Sequence, residues 1–244
     1  MKMVKNREII NSDLKYPEDF IDKIICGDCL DLIRLIPNNS IDAVLTDPPY
    51  GLKKDGIRGD ADLSLFYNIL PECDRVLKDD SFFITFFSTK FLPQLFKNNP
   101  FNYFWQIVLY CPEGRVKSPI GYTKFMSCFI FKKGSPKIIQ WNKDIFIDTP
   151  GKMVEPDEGY IDHPTPKPKH FIKEILKMFS KDNDLILDPF MGSGSTAVAC
   201  LQLNRRFIGF EIEEKYCKIA LERLKWALSG GQKTHEISEL KIGR

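Results

Sequence analysis

The segment that most constrains the fold is LILDPFMGSGSTAVACLQL at 185–203, which leads into RFIGFE at 206–211. Its opening apolar run suits a buried strand, Gly192 and Gly194 permit a tight turn, and AVACLQL continues as a helix. A strand, a glycine turn, a helix and a second strand form one βαβ unit, and that unit demands a parallel sheet with a helix crossing one face.

The rest of the chain repeats the alternation. Residues 21–36, IDKIICGDCLDLIRLI, read as a strand, a turn at Gly27 and a helix ending before Pro37. The run IDAVLT at 41–46 is rich in β-formers and stops at Asp47-Pro48-Pro49-Tyr50, where two prolines forbid further ladder bonding. Residues 52–62 read as a loop able to act as a lid. Leu63, Phe66, Leu70, Cys73, Val76 and Leu77 keep helical spacing, interrupted only by Pro71, and SFFITFF at 81–87 reads as a buried strand. YFWQIVLY at 103–110 and FMSCFIF at 125–131 suit antiparallel partners. A helix over 171–179 and an amphipathic closing helix over 213–228 complete the set.

The expectation is an α/β fold in a single domain over 1–244, with a mostly parallel sheet and an antiparallel edge hairpin. It divides into a catalytic half at 21–133, a short target-recognition insert at 134–162, a cofactor-binding half at 163–228 and a tail at 229–244. At 244 residues, 43% apolar and 28% charged, the chain has material for one sizeable core. No apolar run approaches the roughly 18 residues of a membrane span, and the start lacks a signal-peptide apolar region, so no membrane contact and a cytoplasmic location are expected. Seven cysteines, an odd number, suit reduced thiols better than a disulfide framework.

With 35 Lys+Arg against 33 Asp+Glu the net charge is only +2, but its distribution is uneven. From Arg115 to Lys143 there is no Asp or Glu, while Arg115, Lys117, Lys124, Lys132, Lys133, Lys137 and Lys143 are basic. Such a stretch can form a nucleic-acid face, with Tyr122, Phe125 and Trp141 as stacking partners, or a strand edge protected by lysines. Lys53, Lys54 and Arg58 in the loop after Tyr50 are further cationic candidates.

The glycine turn can present backbone N–H groups to a ligand. Gly192-x-Gly194-x-x-Ala197 with Glu211 after the next strand fits a dinucleotide-type fingerprint in which the acid binds ribose hydroxyls. The loop alone does not choose between a nicotinamide cofactor and S-adenosylmethionine. Asp47-Pro48-Pro49-Tyr50 is more specific. Its rigid backbone holds the Pro48 carbonyl beside the Asp47 carboxylate, two acceptors converging on one small site. An exocyclic amine on a nucleobase is a poor nucleophile because its lone pair is delocalised into the ring. Accepting both hydrogens favours a pyramidal nitrogen with a localised lone pair and stabilises the charge that develops on it. Tyr50 offers a face for the extruded base.

With these motifs the chain resembles the DNA amino-methyltransferases, which methylate adenine N6 or cytosine N4. The resemblance covers CGDCLDL at 26–32, TDPPYG at 46–51, HPTPKP at 163–168, LDPFMGSGST at 187–196 and FIGFE at 207–211. The order, with Asp-Pro-Pro-Tyr ahead of the glycine loop, is that of the family's beta group, a circularly permuted arrangement. It implies a Rossmann-like methyltransferase fold and S-adenosylmethionine as cofactor, with S-adenosylhomocysteine as product. Asp47, Pro48, Pro49 and Tyr50 become the catalytic set. Asp28 and Cys29 are placed at the adenine ring of the cofactor, Glu211 at its ribose, and Thr165 and Lys167 near its methionine end. Asp47, Asp188, Phe190, Gly192, Ser193, Gly194, Ser195 and Thr196 complete the cofactor pocket. Pro166 stands where the family usually has Gln.

The resemblance further implies double-stranded DNA as partner, with a homodimer and a cognate restriction endonuclease as companions known for such enzymes. Adenine N6 is expected over cytosine N4, because Asp before Pro-Pro-Tyr mostly accompanies adenine. Other readings are an NAD-dependent oxidoreductase, which leaves Asp-Pro-Pro-Tyr unexplained, and a non-catalytic nucleic-acid-binding module, which has no need of paired amine acceptors. Cys26-Gly27-Asp28-Cys29 has no second cysteine pair, and His163, His170 and His235 lack metal-ligand spacing, so no metal is expected. The sequence has no Pro-Cys of the kind used for cytosine C5 methylation.

Overall fold

Short runs of β-branched and aromatic residues, each closed by Gly, Pro or Asp, assemble into one eight-stranded sheet. The structure is a computed structural model, and it describes residues 14–49, 62–97, 99–112, 114, 116–147, 154–155, 159–160 and 167–229. In chain order the elements begin with β1 (Lys23–Cys26), α1 (Cys29–Leu32), β2 (Ile41–Thr46), α2 (Ser64–Val76) and β3 (Leu77–Phe87). Next come α3 (Leu92–Phe96), β4 (Asn102–Tyr110), β5 (Val116–Ser118), β6 (Gly121–Thr123), β7 (Phe125–Lys133) and β8 (Ile145–Ile147). A small pair, β9 (Val154–Glu155) and β10 (Gly159–Tyr160), precedes α4 (Lys169–Phe179), β11 (Leu185–Asp188), α5 (Ser195–Gln202), β12 (Arg206–Glu211) and α6 (Glu214–Leu228). Among the described residues no helix is long and apolar enough to cross a membrane.

The sheet order is β1-β12-β11-β2-β3-β7-β4-β8, and every neighbouring pair is parallel except those made by β7. The Rossmann-like α/β expectation is met, with one correction at the edge. β4 and β7 pair antiparallel as expected, but β7 sits inside, between β3 and β4, and the edge strand is β8 running parallel to β4. Part of the stretch read as a recognition insert is therefore built into the sheet. Burial explains the arrangement. β7 is an almost unbroken apolar run with Cys128 to Phe131 inaccessible, whereas β4 exposes Tyr103, Trp105 and Tyr110. A strand buried on both faces must be internal.

Each face of the sheet carries a core. Phe171, Ile172, Ile175 and Leu176 of α4, with Ala197 to Cys200 of α5 and Ala220 and Leu224 of α6, cover one side. Leu32 of α1, Phe66, Leu70 and Cys73 of α2 and Leu95 of α3 cover the other, where Phe83 stacks on Phe101 at 4.7 Å. Pro71 lies inside α2 without breaking it, because the buried stripe on either side of it holds the helix against the sheet.

One glycine sets how closely two helices of the same layer approach. Gly194 has φ of +84° and opens α5, and a Cβ built on it would stand 2.8 Å from the Ala220 Cβ of α6. Both the left-handed backbone and the helix contact exclude a side chain there. Gly194→Ala is expected to lower unfolding stability by about 1–3 kcal/mol, read from the midpoint of chemical denaturation. An unchanged midpoint would contradict the packing described.

Candidate active site

Because β1, β12, β11, β2 and β3 are parallel, their C-terminal ends share one edge, which collects Cys26, Glu211, Asp188 and Thr46. The chain leaves β2 for α2 on one face and β11 for α5 on the other, so the crevice between these neighbouring strands is a topological switch point. Ligands bind at such points in open α/β sheets. Asp188 braces it. Thr46 Oγ1 donates to Asp188 Oδ1 at 2.8 Å, the Phe190 N–H donates to the same oxygen at 3.1 Å, and Thr196 Oγ1 donates to Oδ2 at 2.7 Å. One buried carboxylate thus holds the end of β2, the glycine loop and the start of α5. Burial pushes the Asp188 carboxyl up to about 6 in spite of these donors. Both Asp188 oxygens accept hydrogen bonds from within the protein, at the base of the expected cofactor pocket.

The loop after Asp188 is fixed from two sides. Gly192, with φ of +54°, donates its N–H to Glu211 Oε2 at 2.8 Å, and the Glu213 N–H donates to Glu211 Oε1 at 2.8 Å. From behind, Arg223 Nη1 of α6 donates to the Ser193 carbonyl at 2.7 Å, to Ser193 Oγ at 3.2 Å and to Ser195 Oγ at 3.1 Å. The side chains of Ser193, Ser195 and Thr196 are buried and turned inward, so whatever these residues give a ligand comes through the backbone. Arg223 was not found in the sequence, where a basic residue beside an apolar stripe is indistinguishable from one whose charged end reaches water.

Beside the loop, Cys26 pairs in register with Glu211, and the Gly27 N–H donates to the Glu211 carbonyl at 2.8 Å. This brings Asp28 and Cys29 next to Glu211. Asp28 caps α1 by accepting the Leu30 N–H at 2.9 Å and stays exposed, while Phe190 is half-buried nearby in the sequence of the loop. Burial raises the Glu211 carboxyl above its ordinary range, and each of its oxygens keeps a lone pair beyond the backbone donor it already holds. Burial, reinforced by the Asp28 charge, pushes the Cys29 thiol up to about 12, which keeps it protonated. The Cys217 thiol donates to the Glu211 carbonyl at 3.5 Å, and the neighbouring Cys26 and Cys217 thiols shift each other, Cys26 downward and Cys217 upward. Free carboxylate lone pairs and a strand-end glycine turn suit a nucleoside with ribose hydroxyls, which is the chemistry expected of S-adenosylmethionine. No group of three His, Cys, Asp or Glu that could hold a metal occurs among the described residues.

Asp47 follows Thr46 directly, so the Asp188 brace also fixes its position. Asp47 Oδ2 forms an ion pair with Lys167 Nζ, a partner 120 residues away, and that ammonium lies 5.3 Å from the centre of the Phe86 ring. The other oxygen, Oδ1, is buried and accepts no hydrogen bond among the described residues. Pro48 is buried, and no described N–H donates to its carbonyl. Lys167, placed by resemblance near the methionine end of the cofactor, is therefore held at the carboxylate of Asp47. Tyr50, Thr165, Lys53, Lys54, Arg58 and Arg115 lie outside the described residues, as do His163, nearly all of the 52–62 loop and most of the tail.

The basic run from 115 to 143 does not make one face. Lys117 and Lys124 stand at the edge that carries Asp47, and Lys124 Nζ donates to the Pro112 carbonyl at 2.8 Å. Lys133, at the far end of β7 roughly 26 Å along the strand, donates to the carbonyls of Asp74 and Leu77. Lys137 follows beyond that end, and Lys143 lies 5.1 Å from the Phe146 ring centre. An antiparallel strand inside the sheet carries its two ends to opposite edges, which separates the cations.

The Asp188 brace has a pH signature. Its folded value, about 6, exceeds its ordinary 3.8, so the folded state binds the proton more tightly. The stability this group contributes is present below the lower value and is lost as pH rises to the higher one. Asp188→Asn, whose amide can still meet one threonine as acceptor and the other as donor, is expected to flatten the fall in melting temperature across that window. An unchanged slope would place the titration elsewhere.

Comparison with known proteins agrees with the geometry. A family model described as "DNA methylase" matches residues 139–222. The putative methylase YubD of Escherichia coli (strain K12) is 32% identical over 210 residues, covering 83% of this chain and 89% of that protein. The DNA adenine methyltransferase YhdJ of the same organism is 28% identical over 241 residues, covering 82% of each chain. Among solved structures, the cytosine-N4-specific PvuII DNA methyltransferase superposes with a TM-score of 0.69 at 20% identity, over 82% of this chain and 85% of that one, a likeness of fold. Switch-point crevice, glycine loop, Asp-Pro-Pro-Tyr and sequence likeness converge, and the chain belongs to the family of DNA amino-methyltransferases that act on adenine N6 or cytosine N4.

Proposed function

We propose that this protein transfers a methyl group to the exocyclic N6 amine of an adenine turned out of double-stranded DNA. The observation that carries the reading is the Asp47 carboxylate. It is fixed at the switch point beside the glycine loop, with one oxygen paired to Lys167 and the other buried without a donor among the described residues. A buried acceptor left unpaired is costly, and an amine hydrogen would satisfy it.

S-adenosylmethionine, the family's cofactor, supplies when bound a methyl group on a sulfonium sulfur, which leaves with the bonding electrons. The protein's part is to prepare the nucleophile. Asp47 Oδ1 and the Pro48 carbonyl accept the two amine hydrogens, which draws the nitrogen lone pair out of the ring and stabilises the positive charge it acquires. Lys167 holds the other carboxylate oxygen, so the side chain has a single orientation before substrate arrives. Asp28 and Glu211 hold the nucleoside part of the cofactor. Tyr50 follows Pro49 directly and is assigned the stacking role for the extruded base. Asp before Pro-Pro-Tyr, and the similarity to a relative named as an adenine methyltransferase, support adenine over cytosine.

Asp47→Asn tests the acceptor role without leaving Lys167 unpaired. The amide turns its oxygen to Lys167 and its NH2 to the place where an acceptor is required. Turnover is expected to fall by about 100-fold or more with little change in melting temperature. Near-normal turnover in a labelled-methyl assay on DNA would refute the mechanism.

A further inference from the structure

Beyond the catalytic crevice, the most unusual surface feature is the β5–β6 hairpin. Its strands are joined by Pro119-Ile120, with Ser118 facing Gly121 and Lys117 facing Tyr122. Pro119 fixes its own backbone angle at the turn. Gly121 has φ of +138°, and a Cβ added there would meet nothing within 4 Å. Ile120 stands at the apex, 100% exposed, and Tyr122 beside it is 61% exposed. A β-branched apolar side chain that touches no other part of the protein does nothing for the core, and turns ordinarily carry polar residues.

Position and charge indicate what it meets. The hairpin continues from the C-terminal end of β4, which is parallel to β3, whose C-terminal end pairs with that of β2 through Thr85 and Thr46. It therefore rises from the same edge of the sheet as Asp47. Lys117 and Lys124 flank the apex, and no acidic residue occurs between Arg115 and Lys143. An apolar point between cations complements an apolar base stack between two rows of phosphates.

Resting on the reading of Asp47 as acting on DNA, we propose that Ile120 is a wedge that enters the base stack of the duplex next to the target and helps extrude it. Insertion replaces part of the stacking lost when the base leaves, and it holds open the gap into which the base would return. Lys117 and Lys124 seat the hairpin on the backbone. Tyr122 lies behind the apex, able to cover the neighbouring base.

The test compares wild type, Ile120→Ala and Ile120→Leu in methyl transfer to unmethylated genomic DNA, as native duplex and after strand separation. Because Ile120 packs against nothing, neither substitution should alter folding or cofactor affinity. Ile120→Ala is expected to slow transfer to the duplex about tenfold and to leave transfer to separated strands unchanged, with Ile120→Leu close to wild type. Equal duplex rates for wild type and Ile120→Ala would overturn the wedge, as would an equal loss on both substrates. A change in the protein's mass in solution on Ile120→Ala would assign the apex to a second copy of the chain and overturn it too. If wild type transferred nothing to either substrate, the reading of Asp47 would fail and the wedge with it, an outcome distinct from failure of the wedge alone.

Discussion

The site depends on one buried carboxylate. Asp188 is nearly inaccessible, and its oxygens receive Thr46, Thr196 and the Phe190 N–H, three donors from a strand end, a helix start and the loop between Asp188 and that helix. Thr46 and Asp188 are 142 residues apart in sequence, and their bond crosses the crevice where the two halves of the chain meet. It fixes the spacing between the glycine loop on one side and Asp47 on the other. Methyl transfer needs donor and acceptor held at near-contact distance, and a bond between the residues that precede the two motifs supplies that alignment before any ligand binds.

The same preorganisation extends outward. Arg223 holds the loop from behind through the Ser193 carbonyl and two hydroxyls, with Gly194 letting its helix α6 approach closely, and Glu211 holds it from the front through the Gly192 N–H. Lys167 does the corresponding work for Asp47. The loop's serines and threonine are spent on internal bonds, which leaves its backbone as what it can offer a ligand.

Much of this was legible in the sequence. Strands β2, β11 and β12 fall within a residue of where proline, glycine and acidic boundaries put them, because those boundaries are local. The collection of Asp28, Asp47, Gly192 and Glu211 at one edge followed from parallel strands, since all lie at or shortly beyond strand C-termini. The contacts that fix the site were not legible. Lys167 and Asp47, and Arg223 and Ser193, are partners only through tertiary packing, and no spacing announces them. β8 is three residues long, and its pairing with β4 depends on Phe146 reaching Phe171 of α4, again a distant contact. The inner position of β7 did have a local signal in its unbroken apolar run, which the pairing of two adjacent β segments obscured.

In the proposed mechanism, paired acceptors at Asp47 and Pro48 direct a methyl group onto an adenine amine in DNA. The mechanism is tested most directly by incubating the protein with labelled S-adenosylmethionine and unmethylated DNA, then identifying the product by nucleoside digestion and mass spectrometry. Labelled N6-methyladenine is the expected product. Labelled N4-methylcytosine would reverse the choice of base, and the absence of any labelled nucleoside would refute the mechanism.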